Sequence, residues 1–183
     1  MNEKEKMLSG ILYNPMNLDL LKDRESAKAL CFKYNTIPPN NKIEKETIIS
    51  KLLGKTGENF IIEQSFQCDY GYNIEIGENF YSNHNLVILD CANVTFGNSV
   101  FIGPNCGFYT AEHPLDSETR NSGLEYAKPI TVGNNVWLGG NVTVLGGVTI
   151  GNNVVIGAGS VVTKDIPSNT VAVGNPCKVI KTI

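Results

Sequence analysis

Only two side chains in this sequence titrate near neutral pH by default, His84 and His113, the two histidines among 183 residues. An imidazole can take a proton and return it within one reaction cycle, so either is suited to general acid–base work. A zinc site of three histidines cannot be assembled from two without reusing one by symmetry. The five cysteines, Cys31, Cys68, Cys91, Cys106 and Cys177, are odd in number and scattered, with no CxxC pair. That pattern predicts reduced thiols in a cytoplasm rather than disulfides, a metal cluster or redox chemistry. Lys164, Lys178 and Lys181 gather towards the C-terminus and could hold an anionic ligand. They would have to do so locally, because the formal net charge is −3 and the pI about 5.4. An acidic chain lacks the basic face that nucleic acid requires. The start, Met1-Asn2-Glu3-Lys4-Glu5-Lys6, has no apolar stretch of a signal peptide, and no run reaches the roughly 18 apolar residues of a membrane span.

The elements that must position these groups are legible from a repeat. From Val132 the chain divides into hexads without a gap: VGNNVW, LGGNVT, VLGGVT, IGNNVV, IGAGSV, VTKDIP. An aliphatic residue opens each (Val132, Leu138, Val144, Ile150, Ile156, Val162), and a small or β-branched residue mostly follows four places later (Val136, Val142, Val148, Val154, Ser160). IGENFY at Ile76, FGNSVF at Phe96 and IGPNCG at Ile102 repeat the pattern less cleanly. A six-residue period fits neither a helix nor a long alternating strand, and Gly and Asn at this density destabilise helices. Three short strands with turns between them close a triangular coil. The aliphatics point inward, Gly and Asn take the left-handed corners, and coils stack as parallel strands. The hexad aliphatics are scaffold, so function is expected where the repeat breaks.

It breaks in three places. Residues 1–60 contain no hexads and read as a small helical cap: Leu18, Leu21, Ala27, Leu30, Cys31 and Tyr34 form one helical stripe, Pro38-Pro39-Asn40-Asn41 a loop, and Ile43 to Leu53 a second amphipathic helix ended by Gly54. Residues 61–183 form the repeat domain. Within it the polar stretch 110–129, TAEHPLDSETRNSGLEYAKP, is inserted into the solenoid with no evident structure of its own and carries His113 at its base. Such insertions map to loops that often bind ligands. The third break is the run from Pro167 to Ile183.

These breaks carry a resemblance. His113-Pro114, Arg120-Asn121-Ser122-Gly123 and Lys128 through Gly139 (KPITVGNNVWLG) are similar to the maltose/galactoside O-acetyltransferase family. So are Cys68-Asp69-Tyr70-Gly71-Tyr72-Asn73-Ile74, Val162-Thr163-Lys164-Asp165, Gly174-Asn175-Pro176, and the opening Glu5-Lys6-Met7 with Gly10 and Tyr13. The resemblance spans essentially the whole chain. It implies a left-handed parallel β-helix, mainly β, with a helical cap, and a homotrimer with sites between subunits. It also implies direct transfer of acetyl from acetyl-CoA to a sugar hydroxyl, with no metal, no nucleic acid and no membrane.

By motif position His113 matches the family's general base, and Asn83 the residue facing the acceptor. Arg24, Asp69, Tyr81 and Asp90 match acceptor-side positions, although Tyr81 and Asp69 are also readable as surface decoration, and Trp137 lines the acceptor or pantetheine channel or simply packs. Glu125 falls where a carboxylate could orient His113, as in a catalytic triad. Gly140, Ala158, Thr163, Lys164, Lys178 and Lys181 match the CoA-binding run, with Gly140 N–H a candidate oxyanion donor. Asn14-Pro15-Met16-Asn17 lacks the galactoside-type aspartate, and Asp90-Cys91 has one acid where those proteins have two. The reading is therefore acetyl transfer to the 6-hydroxyl of a glucose- or maltose-type sugar, with a galactoside, a nodulation-type oligosaccharide, an amino sugar or an antibiotic as alternative acceptors. A non-enzymatic solenoid would not need His113, the insertion and the lysines together.

Overall fold

A computed structural model describes residues 1–183. The repeat builds a prism with three parallel-stranded faces. The first face stacks Ile74–Ile76, Val94–Phe96, Ile130–Val132 and Thr149–Ile150. The second stacks Phe60–Ile62, Phe80–Ser82, Val100–Ile102, Val136–Leu138, Val154–Ile156 and Thr170–Val173. The third stacks Gln67–Cys68, Val87–Leu89, Gly107–Tyr109, Thr143–Leu145 and Val161–Val162. The chain visits them in that order, one coil per circuit.

The hexad openers Val132, Leu138, Val144, Ile150, Ile156 and Val162 are at most 1% exposed. Burying each such side chain contributes about 2 kcal/mol. The interior changes along the axis. Tyr81 pairs with Phe101, 20 residues on, whereas Trp137 pairs with Val155, 18 residues on. The wider early coils accommodate Phe60, Phe66, Phe80, Phe96 and Phe108, all buried. Phe80, Phe96 and Phe108 meet edge to face at centroid separations of 5.2 and 4.9 Å. The later coils are filled mainly by Val, Ile and Leu and hold no phenylalanine, which accounts for the cleaner repeat there.

Corners are turned by left-handed residues, mostly asparagine: Asn79, Asn85, Asn105, Asn135, Asn141, Asn153 and Asn169 all have φ between 54 and 62°. Asparagine tolerates this region better than other L residues. Between the first and second faces its relatives also form a ladder: Asn98 N–H donates to Asn134 Oδ1 and Asn134 N–H to Asn152 Oδ1, each at 2.7 Å.

Three helices close the first coil: α1 (Glu3–Leu8), α2 (Leu18–Thr36) and α3 (Lys42–Leu52). Asn2 and Glu5 form a reciprocal capping box on α1. The extended Ile37 ends α2, as expected before Pro38. The buried stripe of α2 is Leu20, Ala27, Cys31 and Tyr34, while Leu18 is 71% exposed. The expected stripe was thus misplaced at its start, because Asn17 caps the helix and turns Leu18 outward in the first turn. Tyr34, Ile37, Ile48, Ile49 and Leu52 join Phe60 and Phe66 in one continuous core. Coil pairing already begins at Gly54 and Lys55, whose partners are Ile74 and Glu75. The cap proper therefore ends before residue 60. At the other end, the turn after Val173 sends Lys178–Thr182 back antiparallel along Thr170–Val173. No helix is long and apolar enough to cross a membrane.

Candidate functional site

The expected site residues fall on two corners and one face of the prism. On the corner between the second and third faces, Asn83, Gly103, Gly139 and Gly157 stack in register. Their N–H groups donate to Ile102, Leu138, Ile156 and Ala172 carbonyls at 2.8–2.9 Å. Glycine is required by close approach: a Cβ on Gly103 would lie 2.5 Å from Gly140 N, and one on Gly139 2.6 Å from Ala158 N. The next positions, His84, Pro104, Gly140 and Ala158, form the outer rim. Gly140 N–H meets no acceptor in the chain, and neither does Asn83 Nδ2; Asn83 Oδ1 accepts from His84 N–H at 2.8 Å. This glycine corner therefore offers unspent donors. His84 is held at its Nδ1, 3.2 Å from the Gln64 carbonyl.

The second face presents an outward column in which Ile61, Tyr81, Phe101, Trp137, Val155, Val171 and Lys181 pair in sequence. Trp137 is 57% and Phe101 50% exposed. The column is an apolar strip with a cation at its far end, and Lys178, on the same returning strand, is exposed beside it. Neither lysine makes an ion pair, nor does Lys164.

On the corner between the third and first faces, successive coils contribute Asp69, Asp90 with Cys91, the insertion, Gly146, and Thr163 with Lys164. The insertion is not structureless, contrary to the sequence expectation. Ala111–Glu112 pairs antiparallel with Tyr126–Ala127, the Lys128–Glu112 pair (2.9 Å) latches the base, and a short helix, α4 (Ser117–Asn121), forms the tip. Buried Thr110 anchors it, donating to the Leu89 carbonyl at 2.6 Å and accepting from Ala92 N–H at 3.0 Å. His113 projects from this ribbon, exposed, with neither ring nitrogen bonded in the chain.

Arg24, Asp69 and Glu125 converge on this corner. Arg24 donates to Tyr70 Oη and to the Pro15 carbonyl, both at 2.6 Å. Burial pushes the Asp69 carboxyl up, and the Arg24 charge partly offsets it. Cys91 faces Asp69 Oδ2 across 3.7 Å, its thiol pushed up to about 12 by burial, so it stays protonated. No hydrogen bond joins Glu125 to His113. Its Oε1 accepts a hydrogen bond from Tyr13, whose ring is fully buried.

Asp90 is corrected outright. It is fully buried, and its Oδ1 accepts from Asp69 N–H (3.0 Å) and Tyr70 N–H (2.9 Å), so it clamps the corner backbone and cannot touch an acceptor. Its Oδ2 has no partner, and burial, reinforced by Asp69, pushes the carboxyl up to about 7.

Within one chain the glycine corner and the insertion corner lie at the two ends of the third face, with the strand Val87–Leu89 between Asn83 and Asp90. The unspent donors and the unpartnered imidazole thus lie on different corners and make no hydrogen bond to each other. Tyr13, Tyr70 and Cys91 belong to the site neighbourhood but carried no expected role. Their contacts span up to 112 residues of sequence and leave no local signal.

The chain is similar to known proteins along its whole length. Residues 6–57 match a family model described as the maltose acetyltransferase hexapeptide capping motif, and residues 129–164 match the six-repeat bacterial transferase hexapeptide model. It is 55% identical to the Saccharomyces cerevisiae protein named "Putative acetyltransferase YJL218W", over 98% of this chain and 92% of that one. A maltose O-acetyltransferase from Clostridium difficile superposes with a TM-score of 0.99 at 51% identity, covering 100% of this chain and 98% of the other. A galactoside acetyltransferase in complex with coenzyme A superposes with a TM-score of 0.97 at 44% identity, covering 100% and 92%.

Proposed function

The chain belongs to the maltose/galactoside acetyltransferase family of hexapeptide-repeat transferases, and from that premise we propose that it moves an acetyl group from acetyl-CoA to the 6-hydroxyl of a glucose- or maltose-type sugar. His113 takes the hydroxyl proton as the sugar oxygen attacks the thioester carbonyl carbon. The carbonyl oxygen becomes an oxyanion facing the Gly140 N–H of a neighbouring copy, with Asn83 Nδ2 donating nearby. Collapse breaks the C–S bond, the protonated imidazole returns its proton to the CoA sulfur, and the ester leaves. Nothing covalent forms on the enzyme, so donor and acceptor must be bound together.

The donor fits the second face. The pantetheine arm lies along the Trp137 column past Ala158, and the phosphates reach Lys178, Lys181 and, from the partner's insertion corner, Thr163 and Lys164. The coenzyme A held by the galactoside relative supports this donor. Arg24, Asp69, Glu125 and Tyr81 line the acceptor side. The observation that supports the reading is that the Gly140 N–H and the His113 imidazole, each without a partner in the chain, lie on different corners: a closed ring of three copies in a cytoplasmic protein would complete every site.

The test is release of free thiol from acetyl-CoA with a panel of maltose, glucose, galactosides, glucosamine and chloramphenicol. Turnover on glucosyl sugars that falls by about 10³-fold in His113→Ala supports base and acceptor class together. Silence on every acceptor by a CoA-binding protein would sink the sugar reading.

A further inference from the structure

Tyr13 lies in the cap, yet its partner lies in the insertion. Its backbone pairs with Glu125 in both directions, Tyr13 N–H to the Glu125 carbonyl at 3.0 Å and Glu125 N–H to the Tyr13 carbonyl at 3.2 Å. Its ring sits in a second small core, separate from the main one, with Met7, Leu20, Tyr70, Cys91, Ala92 and Ala127. The segment before it is pressed against the same ribbon: at Gly10, which has φ +72°, a Cβ would stand 3.2 Å from the Ala127 carbonyl oxygen. The segment after it is held by Arg24 through the Pro15 carbonyl. The chain thus fixes Tyr13 at four points and then spends its hydroxyl on one oxygen of a half-buried carboxylate, Glu125 Oε1. Glu125 Oε2 receives no donor from this chain.

We propose that Tyr13 is a positioning residue for the acceptor: it holds Glu125 by Oε1 so that Oε2, together with the Asp69 carboxylate, is presented to donor hydroxyls of the incoming sugar. The inference rests on the acetyl-transfer reading above and adds to it a specificity element supplied by the cap. A glutamate on an inserted ribbon otherwise samples several rotamers, and a site must hold its groups within fractions of an ångström to discriminate. Tyr13 suits the task because burial, with Cys91 and Glu125 adding to it, pushes its phenol far above the ordinary value. It therefore remains a donor at every working pH. Two carboxylates that only accept select for acceptors rich in hydroxyl donors and against those whose corresponding positions carry acceptors alone.

The test is a double-mutant cycle of Tyr13→Phe, Glu125→Gln and the pair, measured by steady-state kinetics beside wild type and His113→Ala. Tyr13→Phe keeps the buried ring and removes only the donor. It is expected to raise the sugar KM about tenfold, with kcat and the acetyl-CoA KM within about twofold. In the Glu125→Gln background the same change is expected to add less than about twofold, because Tyr13 acts through Glu125. Equal fold losses in both backgrounds would overturn the proposal. So would a loss of kcat accompanied by faster hydrogen exchange across residues 110–129, since the role would then be structural. An active wild type silenced by His113→Ala with an additive cycle sinks this inference alone. A wild type that neither binds nor acetylates any sugar sinks the acetyl-transfer reading and this inference with it.

Discussion

The two working corners of the prism are built on opposite plans. At the glycine corner each coil repeats the last: Asn83, Gly103, Gly139 and Gly157 occupy equivalent positions, and the asparagines or glycine that follow all turn left-handed. Side chains are removed so that successive coils can approach closely, and the rim is left with the Gly140 N–H free of any acceptor in the chain. At the insertion corner no coil repeats another. One contributes Asp69, the next Asp90 and Cys91, the third a whole ribbon, the fourth Gly146 and the fifth Lys164. In the proposed reading, the regular corner would serve as a rail for acetyl-CoA and the irregular corner as a socket for the acceptor sugar.

Several measurements can break or sharpen this contrast. The largest expected effect concerns Asp90. Its folded-state carboxyl sits at about 7 against an ordinary value near 4. Between those values the folded chain holds a proton that the unfolded chain has shed, so this group lowers stability as pH rises from about 4 to about 7, by about 4 kcal/mol at most. Below about 4 both states are protonated and the effect vanishes. Asp90→Asn is expected to flatten that fall in chemical denaturation across the pH range. An unchanged slope would remove the special status of this corner's clamp.

Glycine substitutions come next. Gly139→Ala drives a Cβ to within 2.6 Å of the Ala158 backbone and is expected to cost about 3 kcal/mol. Gly146→Ala, on the insertion corner, meets its nearest atom, the Thr110 carbonyl oxygen, at 3.0 Å, and should cost about 1 kcal/mol. Equal losses of thermal stability would mean that the two corners are packed alike. The smallest effect is on the donor: Lys178→Ala combined with Lys181→Ala is expected to raise the acetyl-CoA KM about threefold and leave the sugar KM unchanged.

The same contrast explains what was legible in the sequence. The later coils could be read residue by residue because a six-residue period puts every opener inside, and Val132 to Val162 all lie there. The early coils were blurred because they are wider and packed with phenylalanine. Asp90 was misread because a residue type announces what a side chain can bond, not which way it points. The ribbon at 110–129 was missed because its pairs, Ala111 with Ala127 and Glu112 with Tyr126, are two rungs long and interrupted by the α4 tip. Leu18 was misplaced by one helical cap. No sequence period relates Tyr13 to Glu125, whose pairing exists only because the cap folds back along the solenoid.

The returning strand Lys178–Thr182 has one more consequence. A stack of parallel strands would ordinarily present a bare hydrogen-bonding edge at its last rung, and such edges invite end-to-end growth into fibres. Here the last long rung of the second face is already paired by a strand running the wrong way to be continued, while helices occupy the opposite end. The second face is thus a ruler of fixed length, stopped at one tip by the returning strand and at the other by the helical cap.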